Sequence, residues 1–346
     1  MSAGSSDAPS AARVRGVAAT IVDGVALLAA LGLLAATAAA LAAKTWWGFE
    51  LFAHFRAHYV LLALPLCAAL VALGRRRVAA VLALAIVPNA WPLLPYLSAA
   101  GPAPAAVAAN GSGRASDAAS ATVKLLAVNV EWRNRSSERL LELIRAESPD
   151  AVLVVEYTDE WGARLEPIFA DYPHRVQLPD ERAFGIALLS RLPLRDVRPF
   201  LLESTPAIDA TLVAPAGALR LIGVHLRPPT DPRSAAERDR QLDALAALVA
   251  RIDGPLVVAG DFNLTPYSPY FEDLVDATGL RDSRTGSGPG FTWPSFFPLL
   301  GIPIDHCLVS PDVHVAAFRR LSAFGSDHYP IVVELAVSAP DRETLP

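Results

Sequence analysis

Val257-Val258-Ala259-Gly260-Asp261-Phe262-Asn263 is an apolar run that ends abruptly in a carboxylate, an aromatic ring and a carboxamide. Pro255 precedes it and a Pro-containing loop at residues 265–269 follows it, so the run is typical of an interior β-strand. Residues two apart on an extended chain point to the same side, which places Asp261 and Asn263 together just past the strand. Sites are commonly built at such strand ends, where these groups could share a divalent cation or a water.

Strand-like and helix-like stretches alternate on both sides of this run. Further strands are predicted at residues 124–130, 151–155, 184–189, 208–213, 219–224, 304–309 and 330–335. Apolar spacing predicts a helix over residues 136–147, and a capping box of Ser234 with Glu237 predicts the start of another. The pattern indicates one sheet-rich α/β domain at residues 122–337.

The first hundred residues contain the excess of apolar side chains that gives the chain its mean hydropathy of +0.34. We predict an N-terminal tail at residues 1–15 and a transmembrane region at residues 16–100, with spans at 17–43, 57–74 and 78–100. A cleavable signal peptide is the alternative for the first span, but further apolar segments follow it. Three prolines would kink the third span, which a helix bundle tolerates.

The arginines predict how these spans are oriented, because short loops rich in Lys and Arg stay cytoplasmic. Arg13 and Arg15 precede the first span, and Arg75-Arg76-Arg77 lies between the second and third. The N-terminus is therefore predicted to be cytoplasmic and the α/β domain extracytoplasmic, in a multi-pass protein of the cell membrane. Residues 101–121, rich in Ala, Pro, Gly and Ser, are predicted to be a flexible linker, and residues 338–346 a tail.

Charge and cysteine usage restrict the partners. Residues 122–346 carry 22 Lys and Arg against 31 Asp and Glu, a formal charge of −9. An enzyme that holds long nucleic acid through its phosphates needs a basic face, so this balance argues against that role. Cys67 and Cys307 form neither a disulfide framework nor a metal knuckle, and no protein partner can be inferred.

Polar residues follow several predicted strands. Glu156 closes one strand, where a buried carboxylate is costly unless it has a cation or hydrogen-bond donors. His225 closes another, and Arg227 beside it favours a phosphate contact, although a lone strand-end histidine is more often structural. The whole series of strand-end residues is Asn129, Glu156, His225, Asp261, Asn263, Asp305, Asp327 and His328.

Oxygen ligands dominate this series, and two imidazoles accompany them. Carboxylates and amide oxygens suit Mg²⁺ or Mn²⁺, whereas a zinc site at His306 and Cys307 lacks further Cys or His at ligand spacing. Strand alternation puts Asp305 and His306 on opposite faces, so only one of them is expected at the site. The residues by themselves predict metal-assisted hydrolysis of a phosphate ester, with a structural Asx turn as the alternative at Asp261.

The order of these motifs resembles that of the endonuclease/exonuclease/phosphatase superfamily, which has the DNase I-like fold. The resemblance covers residues 122–337 and implies a four-layer α/β sandwich, two packed mixed β-sheets flanked by helices, here preceded by a bundle of about three transmembrane helices. Its carriers are Val128-Asn129-Val130-Glu131, Val155-Glu156, Gly185-Ile186-Ala187-Leu188-Leu189-Ser190, Val224-His225-Leu226, Gly260-Asp261-Phe262-Asn263, Ile304-Asp305-His306 and Ser326-Asp327-His328-Tyr329-Pro330.

The resemblance implies a metal site. Glu156, with help from Asn129 and Asp327, would hold Mg²⁺ or Mn²⁺ against a phosphate oxygen. Glu131 is a further candidate ligand, at a position where several members of the superfamily have aspartate or no carboxylate.

The resemblance also implies catalytic roles. Asp261 would position and deprotonate the attacking water, and Asn263 would orient the phosphate. His328, kept charged by Asp305, would stabilise the pentavalent transition state. His225 would contact the phosphate or the leaving oxygen.

Site chemistry does not name the substrate, because the superfamily cleaves DNA, RNA, inositol phosphates, sphingomyelin-type lipids and small nucleotides. The apolar stretch at residues 291–300 touches lipid or substrate, or else packs as a lid on its own domain. We predict a membrane-anchored, Mg²⁺- or Mn²⁺-dependent phosphoesterase that acts on a lipid, nucleotide or nucleic-acid phosphate ester. A DNase-type nuclease and a catalytically silent membrane-anchored binding protein are the alternatives.

Overall fold

The computed structural model describes residues 8–98 and 122–337, with side chains described from residue 17 onward. The predicted linker at 101–121 and the tail at 338–346 lie outside the described residues. The chain divides into two compact units, Met1–Leu93 and Leu94–Pro346.

The N-terminal unit is helical, with α1 (Ala8–Leu41), α2 (Trp47–Ala53), α3 (Arg56–Ala72) and α4 (Arg76–Ala90). Two stretches, Val17–Leu41 and Arg76–Leu97, are long and apolar enough to cross a membrane. Helices α2 and α3 meet at a bend of 59° and make a third candidate if the pair counts as one span. These two or three candidates fit the predicted bundle, while α1 begins inside the stretch that was predicted to be a tail.

Buried polar side chains join the helices of this unit. The guanidinium of Arg56 donates to the carbonyl oxygens of Pro88 at 2.8 Å and Ala40 at 3.1 Å. The amide of Asn89 donates to the hydroxyl of Thr37 at 2.9 Å. Polar groups in hydrocarbon are costly unless they bond to one another, so these contacts are compatible with membrane anchoring.

The second unit contains two six-stranded mixed sheets with helices on their outer faces, which confirms the predicted α/β sandwich. Its helices are α5 (Leu94–Leu97), α6 (Ser137–Glu147), α7 (Asp159–Leu165), α8 (Pro232–Val249) and α9 (Pro269–Thr278). Its strands are β1 (Thr122–Asn129), β2 (Ala151–Val155), β3 (His174–Leu178), β4 (Ile186–Ser190), β5 (Leu194–Leu202), β6 (Thr205–Ala214), β7 (Gly217–His225), β8 (Leu256–Asp261), β9 (Arg281–Asp282), β10 (Asp305–Val309), β11 (Val313–Arg320) and β12 (Ile331–Val337).

The strand order is β11-β12-β1-β2-β4-β3 in the first sheet and β5-β6-β7-β8-β10-β9 in the second. The pairs β1/β2 and β7/β8 are parallel, and the other pairs are antiparallel. Each sheet therefore contains one central parallel pair. The carboxyl ends of the strands in such a pair lie at one edge of the sheet, where side chains beyond the strands can meet.

Both faces of the central strands are buried. In β1, Leu125 faces the core between the sheets, while Leu126 packs under the helices that cover the first sheet. In β8, Val257 and Val258 divide in the same way between the central core and the layer under α8 and α9. Burial on two faces requires a nearly continuous apolar sequence, so these strands can be predicted from the sequence.

Four strands escape the sequence-based prediction, namely β3, β5, β9 and β11. They are the four edge strands of the two sheets. An edge strand has one neighbour and partly exposed faces, as the mostly exposed β5 shows, so it carries no apolar run.

The predicted capping box of Ser234 with Glu237 is wrong. The N-cap of α8 is Asp231, whose carboxylate accepts from the backbone N–H groups of Arg233 and Ser234, while the Ser234 hydroxyl accepts from the backbone N–H of Asp231. Pro232 starts the helix at its first position, where its missing N–H costs nothing, and this moves Ser234 to the third position.

Gly260 in β8 provides a test of the close packing of β7 against β8. Its φ is +138°, and a Cβ at this position would lie 1.9 Å from the carbonyl oxygen of Val224. We expect Gly260→Ala to reduce the free energy of unfolding by at least ~2 kcal/mol, measured as a lower melting temperature. Gly254→Ala is the control, because Gly254 also has a positive φ of +87° but has no atom within 4 Å of the added Cβ. Equal melting temperatures for the two variants would contradict this account.

Candidate active site

The register of the strands brings the first group of polar side chains together. In the second sheet, His225 of β7 lies opposite Asp261 of β8, which in turn lies opposite Asp305 of β10. In the first sheet, β1 ends at Asn129, and Glu156 follows the last residue of β2. One end of each parallel pair thus supplies polar groups to the same place.

Asn129 connects the two sheets. Its amide nitrogen donates to Glu156 Oε1 and to Asp261 Oδ2, both at 3.0 Å. Its amide oxygen accepts from the backbone N–H of Glu131 at 2.9 Å, and the other oxygen of Glu156 accepts from the backbone N–H of Trp132 at 3.0 Å. The carboxamide therefore holds two carboxylates from different sheets at a fixed separation.

His328 lies between two buried carboxylates. Its Nδ1 is 2.9 Å from Asp305 Oδ2, and its Nε2 is 3.7 Å from Asp261 Oδ2. Burial opposes the positive charge, but the carboxylates of Asp305 and Asp261 outweigh it and raise the pKa of His328 to about 10. Burial also opposes ionisation of Asp305, yet the charge and hydrogen bond of His328 hold the pKa of Asp305 below its ordinary value. His328 and Asp305 form a charged pair at neutral pH.

The pKa of Asp261 is shifted in the opposite direction from that of Asp305. Burial raises the pKa of Asp261 to about 7, against the stabilising charge of His328. Its Oδ1 accepts from the backbone N–H of Asn263 at 2.8 Å, and its Oδ2 is 3.6 Å from His225 Nε2. Burial, followed by the like charge on His328, lowers the pKa of His225 to about 4. His225 is therefore neutral when Asp261 titrates.

A second acidic group lies beside the first. The indole N–H of Trp293 donates to Asp327 Oδ2 at 2.9 Å, and Glu131 Oε2 accepts from the backbone N–H of Asp327 at 3.1 Å. Burial, followed by the negative charge of Asp327, raises the pKa of Glu131. Burial likewise raises the pKa of Glu156, against its two hydrogen bonds.

Glu156 provides the test of whether a divalent cation fits. Within the described residues, 17–98 and 122–337, it accepts two hydrogen bonds but forms no ion pair with a Lys, Arg or His side chain. Glu156 is thus a largely buried carboxylate without an ion pair at contact distance, although the charges of His328 and Asp327 both act on it, and a carboxylate oxygen of this kind is a ligand that Mg²⁺ or Mn²⁺ accepts.

A second arrangement of possible ligands is present in the described part of the chain. Ligand atoms of Asp261, Asp305 and His328 all lie within 4.8 Å of one another and could hold a metal ion. Metal ligation requires a neutral imidazole, however, whereas the two carboxylates keep His328 protonated at neutral pH. A metal ion held by these three groups would therefore have to displace that proton.

Three residues of the candidate site have a strained backbone. Glu131, Glu156 and Asn263 have φ values of 54°, 60° and 48°, in the left-handed region that residues other than glycine rarely adopt. Such a conformation costs of order 1–3 kcal/mol per residue and persists only where the surroundings impose it. Each of these residues lies one or two positions past the end of a strand, where the chain turns at the candidate site.

The remaining candidate residues are Arg227, His306 and Cys307. Arg227 is directed to Glu237, with 3.4 Å between Nε and the carboxylate, and stacks 4.1 Å from the ring centroid of Phe184. His306 lies on the opposite face of β10, with Nε2 2.8 Å from the carbonyl oxygen of Leu264, which confirms the alternation argument. Burial raises the pKa of Cys307 to about 12, so this thiol is protonated at neutral pH.

Several supporting residues were missed by the sequence analysis. The hydroxyl of Thr292 accepts from the backbone N–H groups of Ile304 and Asp305, and that of Ser326 donates to the carbonyl oxygen of Asn129. Ser326 lies beside predicted residues and could have been proposed from its position. Thr292 and Trp293 are distant in sequence from the residues they contact, and no local pattern connects them.

Comparison with known proteins identifies the family. The sequence profile of the Endonuclease/Exonuclease/phosphatase family matches residues 126–328, more than half of the chain. The chain belongs to this family. Members of the Endonuclease/Exonuclease/phosphatase family are generally hydrolases of phosphate esters and include phosphodiesterases, nucleases and phosphatases.

Solved structures of the family share the fold. The endonuclease/exonuclease/phosphatase from Beutenbergia cavernae DSM 12333 is 21% identical, over 64% of this chain and 73% of that one, with a TM-score of 0.51. D. rerio TDP2 complexed with single strand DNA product is 16% identical, over 62% and 99%, with a TM-score of 0.54. The human Nocturnin catalytic domain with bound sulfate is 18% identical, over 63% and 95%, with a TM-score of 0.52. No curated protein matches the chain in sequence.

The pair of His328 with Asp305 can be tested by NMR in metal-free protein. We expect the His328 imidazole to stay protonated up to a pH of about 10, and in Asp305→Asn to titrate at least ~1 pH unit lower. Because the folded pKa lies above the unfolded value of 6.5, the charged imidazole stabilises the fold fully below pH 6.5, and this contribution is lost as the pH rises through about 10.

Asp312→Asn removes an exposed carboxylate of the same domain and serves as the control for the NMR titration. It should leave the His328 titration where it is in the wild type. The same His328 titration in wild type and Asp305→Asn would contradict the assignment of the charged pair.

Proposed function

We propose that this chain is a membrane-anchored, divalent-metal-dependent phosphoesterase that hydrolyses a phosphodiester or phosphomonoester outside the cytoplasm. The observation that carries the proposal is the buried cluster in which Asn129, Glu156, Asp261, Asp305 and His328 meet through hydrogen bonds and ion pairs from two sheets. Family membership supports hydrolysis of a phosphate ester, and the N-terminal helices support anchoring.

The metal ligands in this proposal are Glu156 and Asp327, with Glu131 beside them. When bound, Mg²⁺ or Mn²⁺ supplies Lewis acidity toward a phosphate oxygen and neutralises its charge. Asn129 completes the predicted set if its amide oxygen leaves the backbone N–H of Glu131. With that hydrogen bond in place, its amide nitrogen fixes the spacing between Glu156 and Asp261.

Asp261 is the general base of the proposed reaction. A carboxylate whose pKa is raised to about 7 can accept a proton from water at neutral pH, which an ordinary aspartate does poorly. Asp261 takes the proton while the water attacks phosphorus, the bond from phosphorus to the leaving oxygen breaks, and the leaving oxygen takes up a proton from solvent. Asn263, whose amide donates to the carbonyl oxygen of Leu226 at 2.9 Å, would orient a phosphate oxygen in this proposal.

His328 and His225 have different roles in the proposed reaction, because one imidazole is charged and the other is neutral. The imidazolium of His328, held by Asp305, stabilises the negative charge that develops on the phosphoryl oxygens in the transition state. The neutral imidazole of His225 contributes a hydrogen bond to the phosphate or to the leaving oxygen, without a second positive charge.

Nucleic acid is the alternative substrate to a small phosphate ester. The similar D. rerio TDP2 structure contains a single strand DNA product, so a nuclease activity must be tested alongside the others. The formal charge of −9 over residues 122–346 opposes binding of a long polyanion, which favours a smaller phosphate ester.

An activity screen of the full-length chain in detergent tests the proposal. The substrates are bis-p-nitrophenyl phosphate, plasmid DNA, and a panel of lysophospholipid and sphingomyelin. We expect hydrolysis of at least one ester with Mg²⁺ or Mn²⁺, loss of activity in EDTA, and a kcat lower by ~10²-fold or more in Asp261→Ala because the base is removed.

Asp312→Ala is the matched control for this screen, because it deletes an exposed aspartate and should retain full turnover. Circular dichroism of each variant establishes that the fold is kept. Wild-type turnover by a folded Asp261→Ala protein would refute the assignment of the base. Silence of the wild type on every substrate with either metal would favour a catalytically silent binding protein.

The extracytoplasmic placement has a separate test. Alkaline phosphatase folds to its active form only outside the cytoplasm, so a fusion at the C-terminus should be active and a fluorescent-protein fusion there should be dark. Fusions placed directly after Arg77 should give the reverse result, because that arginine-rich loop is expected to be cytoplasmic. A cytoplasmic signal at the C-terminus would overturn the three-span topology.

A further inference from the structure

The loop that precedes β10 exposes a cluster of large apolar side chains. Phe296 and Leu299 are 76% and 78% exposed, and Phe297 and Leu300 are exposed beside them. In the described residues from 122 to 337, the other exposed large apolar side chains are Val197 and Leu201. Most of the exposed apolar surface of this domain therefore lies in one short segment, residues 296–300, which we call the loop tip.

The loop tip belongs to an ordered loop. Trp293 and Ile302 form an antiparallel bridge at its base, and the backbone N–H of Gly301 donates to the carbonyl oxygen of Pro298 at 3.0 Å. The fully buried Thr292 anchors the preceding residues to the domain. The exposure of the tip is thus imposed by its fold, which rules out a lid packed on its own domain.

The base of the loop is tied directly to the candidate site. Trp293 donates to Asp327, and the backbone N–H of Ser295 donates to the carbonyl oxygen of Asp327 at 2.7 Å. The hydroxyl of Ser295 donates to the carbonyl oxygen of Ser326 at 2.6 Å, and that of Tyr329 donates back to Ser295 at 3.1 Å. The base of the loop that carries the tip is therefore bonded to Ser326, Asp327 and Tyr329, which flank His328.

The chemistry of the tip selects lipid as its partner. Residues 285–304 contain no Asp, Glu, Lys, Arg or His. A protein interface combines apolar anchors with a polar rim and hydrogen bonds, whereas phenylalanine and leucine enter the interfacial region of a bilayer without polar partners. The N-terminal helices of the same chain could span a membrane, so a bilayer surface is available to the domain at high local concentration.

We propose that the loop tip inserts into the interfacial region of the lipid bilayer and that the ester hydrolysed at the site is a phosphate ester of a lipid in that bilayer. The second half rests on the proposed function, while the first half stands on the loop alone. The contact is apolar, as a domain with a formal charge of −9 gains no attraction from anionic lipids. Insertion then presents the lipid headgroup region to residues beside Asp327.

Spin labels on the full-length chain in phosphatidylcholine nanodiscs test insertion. One label replaces Leu299 in the tip, and the matched control label replaces Leu201, an equally apolar side chain that is 67% exposed elsewhere in the domain. Cys67→Ala and Cys307→Ala remove the native thiols. We expect the label at position 299 to be accessible to oxygen and shielded from a water-soluble nickel complex, and the label at position 201 to be accessible to nickel.

Two spin-label results would overturn insertion. Equal access of nickel to both positions would mean that the tip stays in water. Shielding of position 299 from both oxygen and nickel would mean that protein, such as a second copy of the chain, covers the tip instead of lipid.

A paired activity measurement tests the substrate class. In nanodiscs that contain the lipid panel, Phe296→Ser/Leu299→Ser should lower lipid turnover by about tenfold or more, because two large apolar anchors are lost. Turnover of soluble bis-p-nitrophenyl phosphate should be unchanged, and Leu201→Ser should change neither activity. Equal loss on both substrates would overturn the inference, because it would show that the loop acts on the site itself.

The two proposals fail in different ways. If the wild type hydrolyses the soluble diester but no lipid, the lipid inference is overturned and the phosphoesterase stands. If the wild type hydrolyses nothing, the proposed function fails together with the lipid substrate, while the spin labels still decide whether the tip enters the bilayer.

Discussion

One hydrogen bond joins the two sheets at the site, from the amide nitrogen of Asn129 to the carboxylate of Asp261, at 3.0 Å. Asp261 is buried, and a buried carboxylate is retained only where donors or a cation offset its lost hydration. Its partners come from three directions: Asn129 donates from the first sheet, the backbone N–H of Asn263 donates from beyond β8, and the charged imidazole of His328, which precedes β12, lies 3.7 Å away. The site is therefore assembled only when the sheets pack in this register.

The packing has a second fixed point on the far side of β10. The guanidinium of Arg284, fully buried, donates to the backbone carbonyl of Asp305 and to the carboxylate of Asp282, which also lies 3.4 Å from His306 Nδ1. Burial opposes the charge on Asp282, yet Arg284 holds the pKa of Asp282 below its ordinary value. The backbone of Asp305 is thus held from one face of the strand while its side chain holds His328 on the other.

The sequence predicts the parts of this arrangement that depend on burial. Strands covered on both faces are apolar throughout, so β8 and its polar end at Asp261 can be recognised without a structure. The edge strands depend on a single neighbour and leave no such pattern, as β5 shows. Arg227 lies two residues past the end of β7 at His225, where strand alternation no longer determines the direction of a side chain, so its phosphate contact stays a prediction.

Local sequence patterns also do not predict contacts between segments that are distant in the chain. Thr292 and Trp293 reach Asp305 and Asp327 because the loop returns to the strand ends, a result of tertiary packing alone. The backbone N–H of Gly286 similarly donates to the carbonyl oxygen of Pro95, in a segment that the sequence analysis assigned to a membrane span. Pattern arguments find the ends of buried strands but not the loops that pack against them.

Burial by itself does not decide which groups at the site are charged. Burial disfavours the charged form of Asp261, Asp305 and His328 alike, because each charged form loses its hydration. The outcome differs because His328 has a hydrogen-bonded carboxylate at 2.9 Å and a second one at 3.7 Å, so its proton stabilises two neighbours. Asp305 lies 2.9 Å from His328 and stays ionised, whereas Asp261 lies 3.7 Å from the same imidazole and has a pKa of about 7. Two aspartates in adjacent register positions thus differ in pKa, one held below its ordinary value and one raised to about 7, because they lie at different distances from one imidazole.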